Sequence, residues 1–325
     1  MPPCTRTDNM LKRLLTARAA QLTKRRVAIA ESLLGGNGVC MLDVGAAEGA
    51  PSRWYPYASL VNYVAVEPDP RSVSALKGAE SDGFRSRHVV TQGLWSHSGH
   101  LDLHLCRKPM ASSIYMPNHE FASRFPDAER FEVVGRESMH VTTIDDLAES
   151  NSLRFDAIKL DVQGAEYEVI RGASTSLASV LAIECEIEFA ELYLGQPLAD
   201  QVTGLISSHG LDLLDYLYLY RWHPEQFDGT GQLVFADALY MRAPESLAES
   251  GEVVQRRFAA LAVIYGRGDM LVRLARVVRD PETRRLIADA AAVVNSSVRK
   301  SNALLQKAAR LARLNDDSAR VHLFQ

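Results

Sequence analysis

The sequence predicts an α/β fold built on a mostly parallel sheet with an antiparallel final strand, an N-terminal helix and a C-terminal helical extension. Between residues 39 and 241, short β-branched or apolar runs alternate with helical segments, the pattern of parallel strands joined by crossover helices. On both sides of that interval the apolar spacing is helical. A chain of 325 residues, 47% hydrophobic and 23% charged, suits one large domain and an appendage, and excludes disorder and collagen-like repeats.

Three segments follow: a helical arm over 1–37, a central domain over 38–243 and a helical extension over 244–325. In the arm, Leu11, Leu14, Leu15, Ala19 and Leu22 recur at helical spacing over 8–34. Thr7 or Asp8 can cap that helix, and Gly35-Gly36-Asn37-Gly38 stops it. Strand candidates are 39–44, 63–67, 86–90, 101–105, 157–161, 180–186, 211–216 and 233–241. The interval 106–138 has no clean period and carries Pro109, Pro117 and Pro126, which suggests a lid insertion over a substrate. Beyond Pro244, Phe258, Leu261, Ala262 and Tyr265 share one helical face, and Asp280-Pro281-Glu282 starts a further helix, so three or four helices are expected.

The formal charge is −4, which gives no global pull toward nucleic acid. From residue 251 onward there are fourteen Lys and Arg against seven Asp and Glu, so the tail stands at about +7 and the rest at about −11. The tail's basic faces read as solvated surface, and its apolar faces as packing against its own domain or a second copy, a route to homo-oligomers. Cys4, Cys40, Cys106 and Cys185 lie far apart without metal or disulfide spacing, which suits a reducing cytoplasm. No apolar stretch reaches the roughly 18 residues of a spanning helix, and the charged N-terminus does not resemble a signal peptide.

The most informative stretch is Met41-Leu42-Asp43-Val44-Gly45-Ala46-Ala47-Glu48-Gly49-Ala50, an apolar strand entering a glycine turn and then, after Pro51, a helix. Gly45 and Gly49 allow a sharp turn and close approach of a ligand. The next strand ends in Glu67, placed to accept both ribose hydroxyls. Dinucleotide enzymes want G-x-G-x-x-G so that a helix N-terminus meets a pyrophosphate; this loop reads G-x-x-x-G and carries Asp43 and Glu48, which would repel one. Carboxylates there suit a cationic, phosphate-free nucleoside, and so point to S-adenosyl-L-methionine.

A second motif runs Phe155-Asp156-Ala157-Ile158-Lys159-Leu160-Asp161-Val162-Gln163-Gly164-Ala165-Glu166, an apolar strand ending at Asp161 before a helix bearing Glu166. Together the two motifs resemble the FkbM-type methyltransferases, S-adenosylmethionine-dependent enzymes that methylate hydroxyl groups on sugars and natural products. Similar too are Val66-Glu67-Pro68-Asp69-Pro70, the Ser112-Ser113 pair, Thr143-Ile144-Asp145-Asp146-Leu147 and Glu184 on the following strand. The resemblance covers roughly 39–242 and implies a Rossmann-like methyltransferase sheet and a small-molecule or glycan acceptor. It places Asp43, Gly45, Ala47, Glu48 and Gly49 at the cofactor's amino-acid end, Glu67 and Pro68 at the ribose, and Gln92, Gly93 and Leu94 at the adenine. Asp161 joins the cofactor set and is the first candidate for the base, with Glu166 and Glu184 as alternatives. The family pattern is Asp-x-Glu-Gly-x-Glu, and Gln163 here replaces its middle carboxylate.

Other readings stay open. His97, His100, His104, His119 and His140 cluster near the expected lid, and one of them could deprotonate a hydroxyl or bind a metal. On a continuous strand Glu184, Glu186 and Glu188 would share one face and could line a divalent-cation site with Asp161, whereas a strand ending near Glu186 would send the rest into a helix. Tyr216, Tyr218 and Tyr220 alternate, either as edge packing or as a platform for a sugar ring. The competing functions are a non-catalytic partner module that keeps the fold, and a nicotinamide-dependent oxidoreductase, which the glycine spacing disfavours.

Overall fold

A computed structural model describes residues 6–78, 82–227 and 229–315, and the chain divides into two compact units, Gly38–Ala243 and a helical unit of Met1–Asn37 with Pro244–Gln325. Cys4 lies outside the described residues.

The first unit is an α/β fold around a seven-stranded sheet. Its strands are β1 (Val39–Val44), β2 (Val61–Val66), β3 (Ser86–Val90), β7 (Ala157–Leu160), β8 (Ala182–Glu188), β9 (Leu211–Trp222) and β10 (Gln232–Arg242), in the order β3-β2-β1-β7-β8-β10-β9. Pairings among β3, β2, β1, β7 and β8 are parallel, and β10 runs antiparallel between β8 and β9. Chain order reverses between β1 and β7, so the crevice at their carboxyl ends is the place where such sheets bind ligands. The central strands are buried on both faces, which explains their near-continuous apolar runs. The helices of this unit are α2 (Pro70–Gly78), α3 (His119–Ala122), α4 (Ile144–Ser150), α5 (Glu166–Arg171) and α6 (Ala199–Ser208).

Several expectations change. Residues 101–105 do not join the large sheet: β5 (Gly99–Cys106) pairs antiparallel with β6 (Val133–Thr142), which pairs with the short β4 (Gly93–Leu94) in a separate three-stranded sheet. The last six residues of the expected lid, 133–138, are therefore ordered strand. No α-helix follows Pro51 either; the β1–β2 connection closes as a 3₁₀ turn, Tyr55–Leu60, with Pro56 in its first turn and Trp54 buried beside it. Finally, β8 continues through Glu188 rather than giving way to a helix near Glu186.

In the helical unit α1 (Arg6–Leu34), α7 (Glu252–Ile264), α8 (Gly268–Val277) and α9 (Pro281–Asn315) pack together. Leu22, Ala30, Leu33 and Leu34 of α1 are buried, as are Phe258, Leu271, Leu274, Ile287 and Val294, while Ala19 is exposed; the side chains of Leu11, Leu14 and Leu15 lie outside those described. The Arg26 guanidinium donates to the carbonyls of Val263 and Ile264, satisfying the open carboxyl end of α7. The Thr283 amide donates to Asp280 Oδ2 at 2.6 Å, which fixes the start of α9. No helix among the described residues is long and apolar enough to cross a membrane.

Gly45 has φ +81°, and a Cβ there would stand 1.8 Å from the Asp161 carbonyl oxygen, so the ends of β1 and β7 meet only because the residue has no side chain. Gly204 lies inside α6 with open space around it. All three tryptophans, Trp54, Trp95 and Trp222, belong to the α/β unit. In urea unfolding followed by their fluorescence, Gly45→Ala should destabilise this unit by at least about 2 kcal/mol. Gly204→Ala should stabilise it by about 0.5–1 kcal/mol.

Candidate active site

The carboxyl ends of β1, β2, β7 and β8 open into a cavity of about 780 Å³, well within the size of small-molecule sites. Gly45, Ala47, Glu48 and Gly49 form one rim, Glu67 and Pro68 the next, and Gly93 and Leu94 reach it from the small sheet. Asp161, Glu184 and Glu186 line the floor, and Tyr218, Tyr220, Trp222 and Phe235 the opposite wall. The expected lid supplies Lys108 to Ile114, Arg130 and Phe131. It is a packed wall: Phe121, Ala122 and Phe131 share a core cluster with Leu192 and Tyr193, and Ser113 Oγ donates to the Gln163 carbonyl at 2.7 Å.

Three expected residues do not border the cavity. Asp43 is fully buried, accepts from the Tyr63 hydroxyl at 2.7 Å and pairs with Lys159 Nζ at 3.6 Å, so its contacts are structural. Gln92 is exposed and its amide meets His140 Nδ1 at 3.1 Å. Glu166 lies under the loop after β7, where it accepts from the Val162 amide at 2.7 Å. None of the histidines lines the cavity among the described residues; His104 Nδ1, for example, faces the Ile114 carbonyl at 3.1 Å. The tyrosine stripe is split: β9 bulges between the residues paired with Asp237 and Ala238, which turns Tyr218 toward Asp237 on the cavity side and leaves Tyr216 off its wall.

Two residues that carried no role in the motif reading organise the floor. Lys159, inside an apolar strand, places Nζ 3.1 Å from Asp161 Oδ2 and 3.6 Å from Asp43 Oδ1. Burial alone would lower its pKa, but Asp161 and Asp43 together hold it above the usual lysine value. The signal available was chemical: a lysine within Ala-Ile-Lys-Leu-Asp requires carboxylate partners. Gln163, at φ +56°, uses its amide fully. Nε2 donates to Asp161 Oδ1 at 2.8 Å and to Glu186 Oε1 at 2.9 Å, while Oε1 accepts from the Tyr193 hydroxyl at 2.8 Å. The amide thus joins two carboxylates where a third would repel both.

The remaining acids are held differently. Burial pushes Glu67 up to about 7, while its Oε1 accepts from the Asp69 amide. Glu184 pairs with Arg53 at 3.2 Å. Oxygens of Glu166, Glu186 and Glu188 lie within 4.8 Å of one another, all three buried. Burial raises Glu166 to about 7 and both other carboxyls well above the ordinary value, with the neighbouring acids adding to the shift. Buried like charges raise one another in this way, and only Glu186 of the three reaches the cavity.

A carboxyl that keeps its proton up to about 7 contributes stability in full below about pH 4.5, and that contribution is lost as pH rises through 7. Glu166→Gln keeps an acceptor for the Val162 amide and removes the ionisation. At pH 8 it should be more stable than the parent by on the order of 3 kcal/mol, and at pH 4.5 equal to it, in urea unfolding at the two pH values. Equal stability at both would show that Glu166 carries no such cost.

The chain is 28% identical over 192 residues, 55% of its own length and 76% of the relative's, to the 2-O-methyltransferase NoeI of Sinorhizobium fredii (strain NBRC 101917 / NGR234). Among solved structures it is similar to the precorrin-6y C5,15-methyltransferase of Geobacter metallireducens GS-15, at 10% identity and TM-score 0.32, over 66% of this chain and 88% of that one. A Burkholderia thailandensis 1,6-didemethyltoxoflavin-N1-methyltransferase with bound S-adenosylhomocysteine is similar at 12% identity and TM-score 0.29, over 68% and 78%. These two likenesses are too distant to support any assignment. The model of the methyltransferase FkbM domain, in contrast, matches residues 43–213, more than half of the sequence. The chain belongs to the FkbM family of S-adenosylmethionine-dependent methyltransferases.

Proposed function

We propose that the protein transfers the methyl group of S-adenosylmethionine to a hydroxyl of a sugar, glycoconjugate or natural product. The observation that carries this reading is the charge of the cavity. Glu48, Glu67, Asp69, Asp161, Glu184, Glu186 and Asp237 line it against Arg53, Lys108, Arg130 and Lys159. Even with Glu186 neutral the acids outnumber the bases, and such an excess favours a ligand with a sulfonium and an ammonium and disfavours a pyrophosphate. Similarity to a 2-O-methyltransferase supports oxygen as the acceptor atom.

In this reading Gly45, Ala47, Glu48 and Gly49 receive the amino-acid end, Glu67 and Pro68 the ribose, and Gly93 and Leu94 the adenine. The structure's own geometry fits the group: the left-handed turns at Gly45 and Gly49 bring backbone to the cavity rim, and Glu67 stands at the carboxyl end of β2. Asp161 lies beside Lys159 and Gln163 as the counter-charge to the sulfonium. Across the cavity, the half-exposed rings of Tyr218 and Tyr220 offer apolar faces with hydroxyl tips, and Tyr220 stacks on Phe235 at 4.3 Å. That wall would receive the acceptor, since aromatic faces suit the C–H surface of a sugar ring and hydroxyl tips its polar edge. Holding both reactants in line is worth effective molarities of about 10⁵ to 10⁸ M.

Calorimetric titration checks the cofactor. S-adenosylmethionine and S-adenosylhomocysteine should both bind, NAD should not, and Glu67→Gln should weaken both by about tenfold or more through loss of a charged hydrogen-bond acceptor. Binding of NAD with no response to either methyl-cycle ligand would overturn the reading.

A further inference from the structure

The floor of the cavity holds several carboxylates, and the structure distinguishes them by what occupies their oxygens. Asp161 has both taken, Oδ2 by Lys159 Nζ and Oδ1 by Gln163 Nε2. Glu184 is committed to Arg53. Glu166 does not border the cavity. Glu186 differs from all of these. Its Oε1 accepts from Gln163 Nε2, and among the described residues no hydrogen bond holds its Oε2. Gln163 is in turn oriented by the Tyr193 hydroxyl, shared between Gln163 Oε1 and the Ala111 carbonyl, and by repulsion, since a flipped amide would turn its oxygen toward two carboxylates.

Resting on the methyl-transfer reading above, we propose that Glu186 takes the proton of the acceptor hydroxyl, and that the positive sulfonium of the bound cofactor is what keeps it ionised until the methyl group leaves. The step balances. The acceptor O–H bond breaks with its proton passing to Glu186, and the oxygen's electron pair forms the new O–CH₃ bond. The CH₃–S bond breaks with its pair returned to sulfur. One carboxylate and one sulfonium become a carboxylic acid and a thioether, so an opposite pair of charges disappears in a site partly screened from water, where such cancellation is favoured.

The surroundings of Glu186 supply the drive. From β7 it faces Asp161 and Lys159, from α5 Glu166, and from its own strand Cys185 and Glu188. From β10 it faces Asp237, and Tyr220 and Tyr193 complete the shell. Burial and these acids outweigh the Lys159 ammonium and favour the neutral form, so Glu186 holds its proton until a further cation binds. A sulfonium reverses that preference, and its loss on transfer restores it.

The test uses the full chain and needs no acceptor. Titrations of S-adenosylmethionine and S-adenosylhomocysteine near pH 7, in buffers of low and high ionisation enthalpy, count the protons exchanged on binding. The two ligands differ at sulfur, so the difference between them isolates the sulfonium. S-adenosylmethionine should release more protons than S-adenosylhomocysteine, and its affinity should rise with pH more steeply, by up to tenfold per unit beyond any rise shared with S-adenosylhomocysteine. Glu186→Gln, which keeps an acceptor for Gln163, should abolish the difference. Equal proton counts for the two ligands in the parent protein would overturn the proposal, as would retention of the difference in Glu186→Gln. Failure of both ligands to bind would instead overturn the cofactor reading itself. Once an acceptor is in hand, Glu186→Gln should lower kcat by about 10²- to 10⁴-fold.

Discussion

A lysine set in the middle of a buried strand has to find anions within the length of its own side chain, and Lys159 finds them at the carboxyl ends of two neighbouring strands. Asp43 closes β1 and Asp161 follows β7, so one ammonium ties together the two strands between which the sheet reverses its order. Much of the site follows from this tie. Gly45 can then lie against the Asp161 carbonyl, and the turn it begins forms one rim of the cavity. Asp161, fixed on one side by Lys159, leaves its other oxygen to Gln163, which extends the network to Glu186 and Tyr193. Removing either partner of such a buried pair exposes the other to an uncompensated desolvation cost.

Charge in this floor is arranged against stability. Burial keeps Glu67 and Glu166 protonated to about 7 and raises Glu186 and Glu188 well above the ordinary carboxyl value, so the ligand-free protein carries groups that would be more comfortable in water. A domain optimised only to fold would replace them with apolar residues. Their concentration beside the cavity is the pattern expected where binding, rather than folding, determines which side chains are kept.

The parts of this arrangement that lie close together in the chain were legible in the sequence. A strand running into Gly45 and Gly49, and the acidic strand end at Glu67, are local patterns, and the alternation of strands with helices identifies the sheet. Parts that depend on pairing between distant residues were not. β6 reads Val-Val-Gly-Arg-Glu-Ser-Met-His-Val-Thr, half of it exposed, and without its partner β5 it carries no apolar alternation to mark it as a strand. Glu186 and Glu188 have the composition of a helix start and are strand residues because β10 pairs beside them. Asp43 sits in the most recognisable motif of the chain, yet its side chain turns to Tyr63 and Lys159, a choice made by the neighbouring strands. The face on which each tyrosine of β9 falls is set by a bulge, which no two-residue periodicity reveals.

The acidic excess of the cavity wall bears on how a catalytic cycle could end. On the methyl-transfer reading, the ligand that enters carries a positive sulfur and the one that leaves does not, while the wall presents the same seven carboxyl groups to both. The part of the attraction that acts on the sulfonium is absent for the second, so the chemistry weakens its own product's hold. Turnover would then need no moving part to expel spent cofactor: the discharge is electrostatic, and its strength would fall as salt screens the wall.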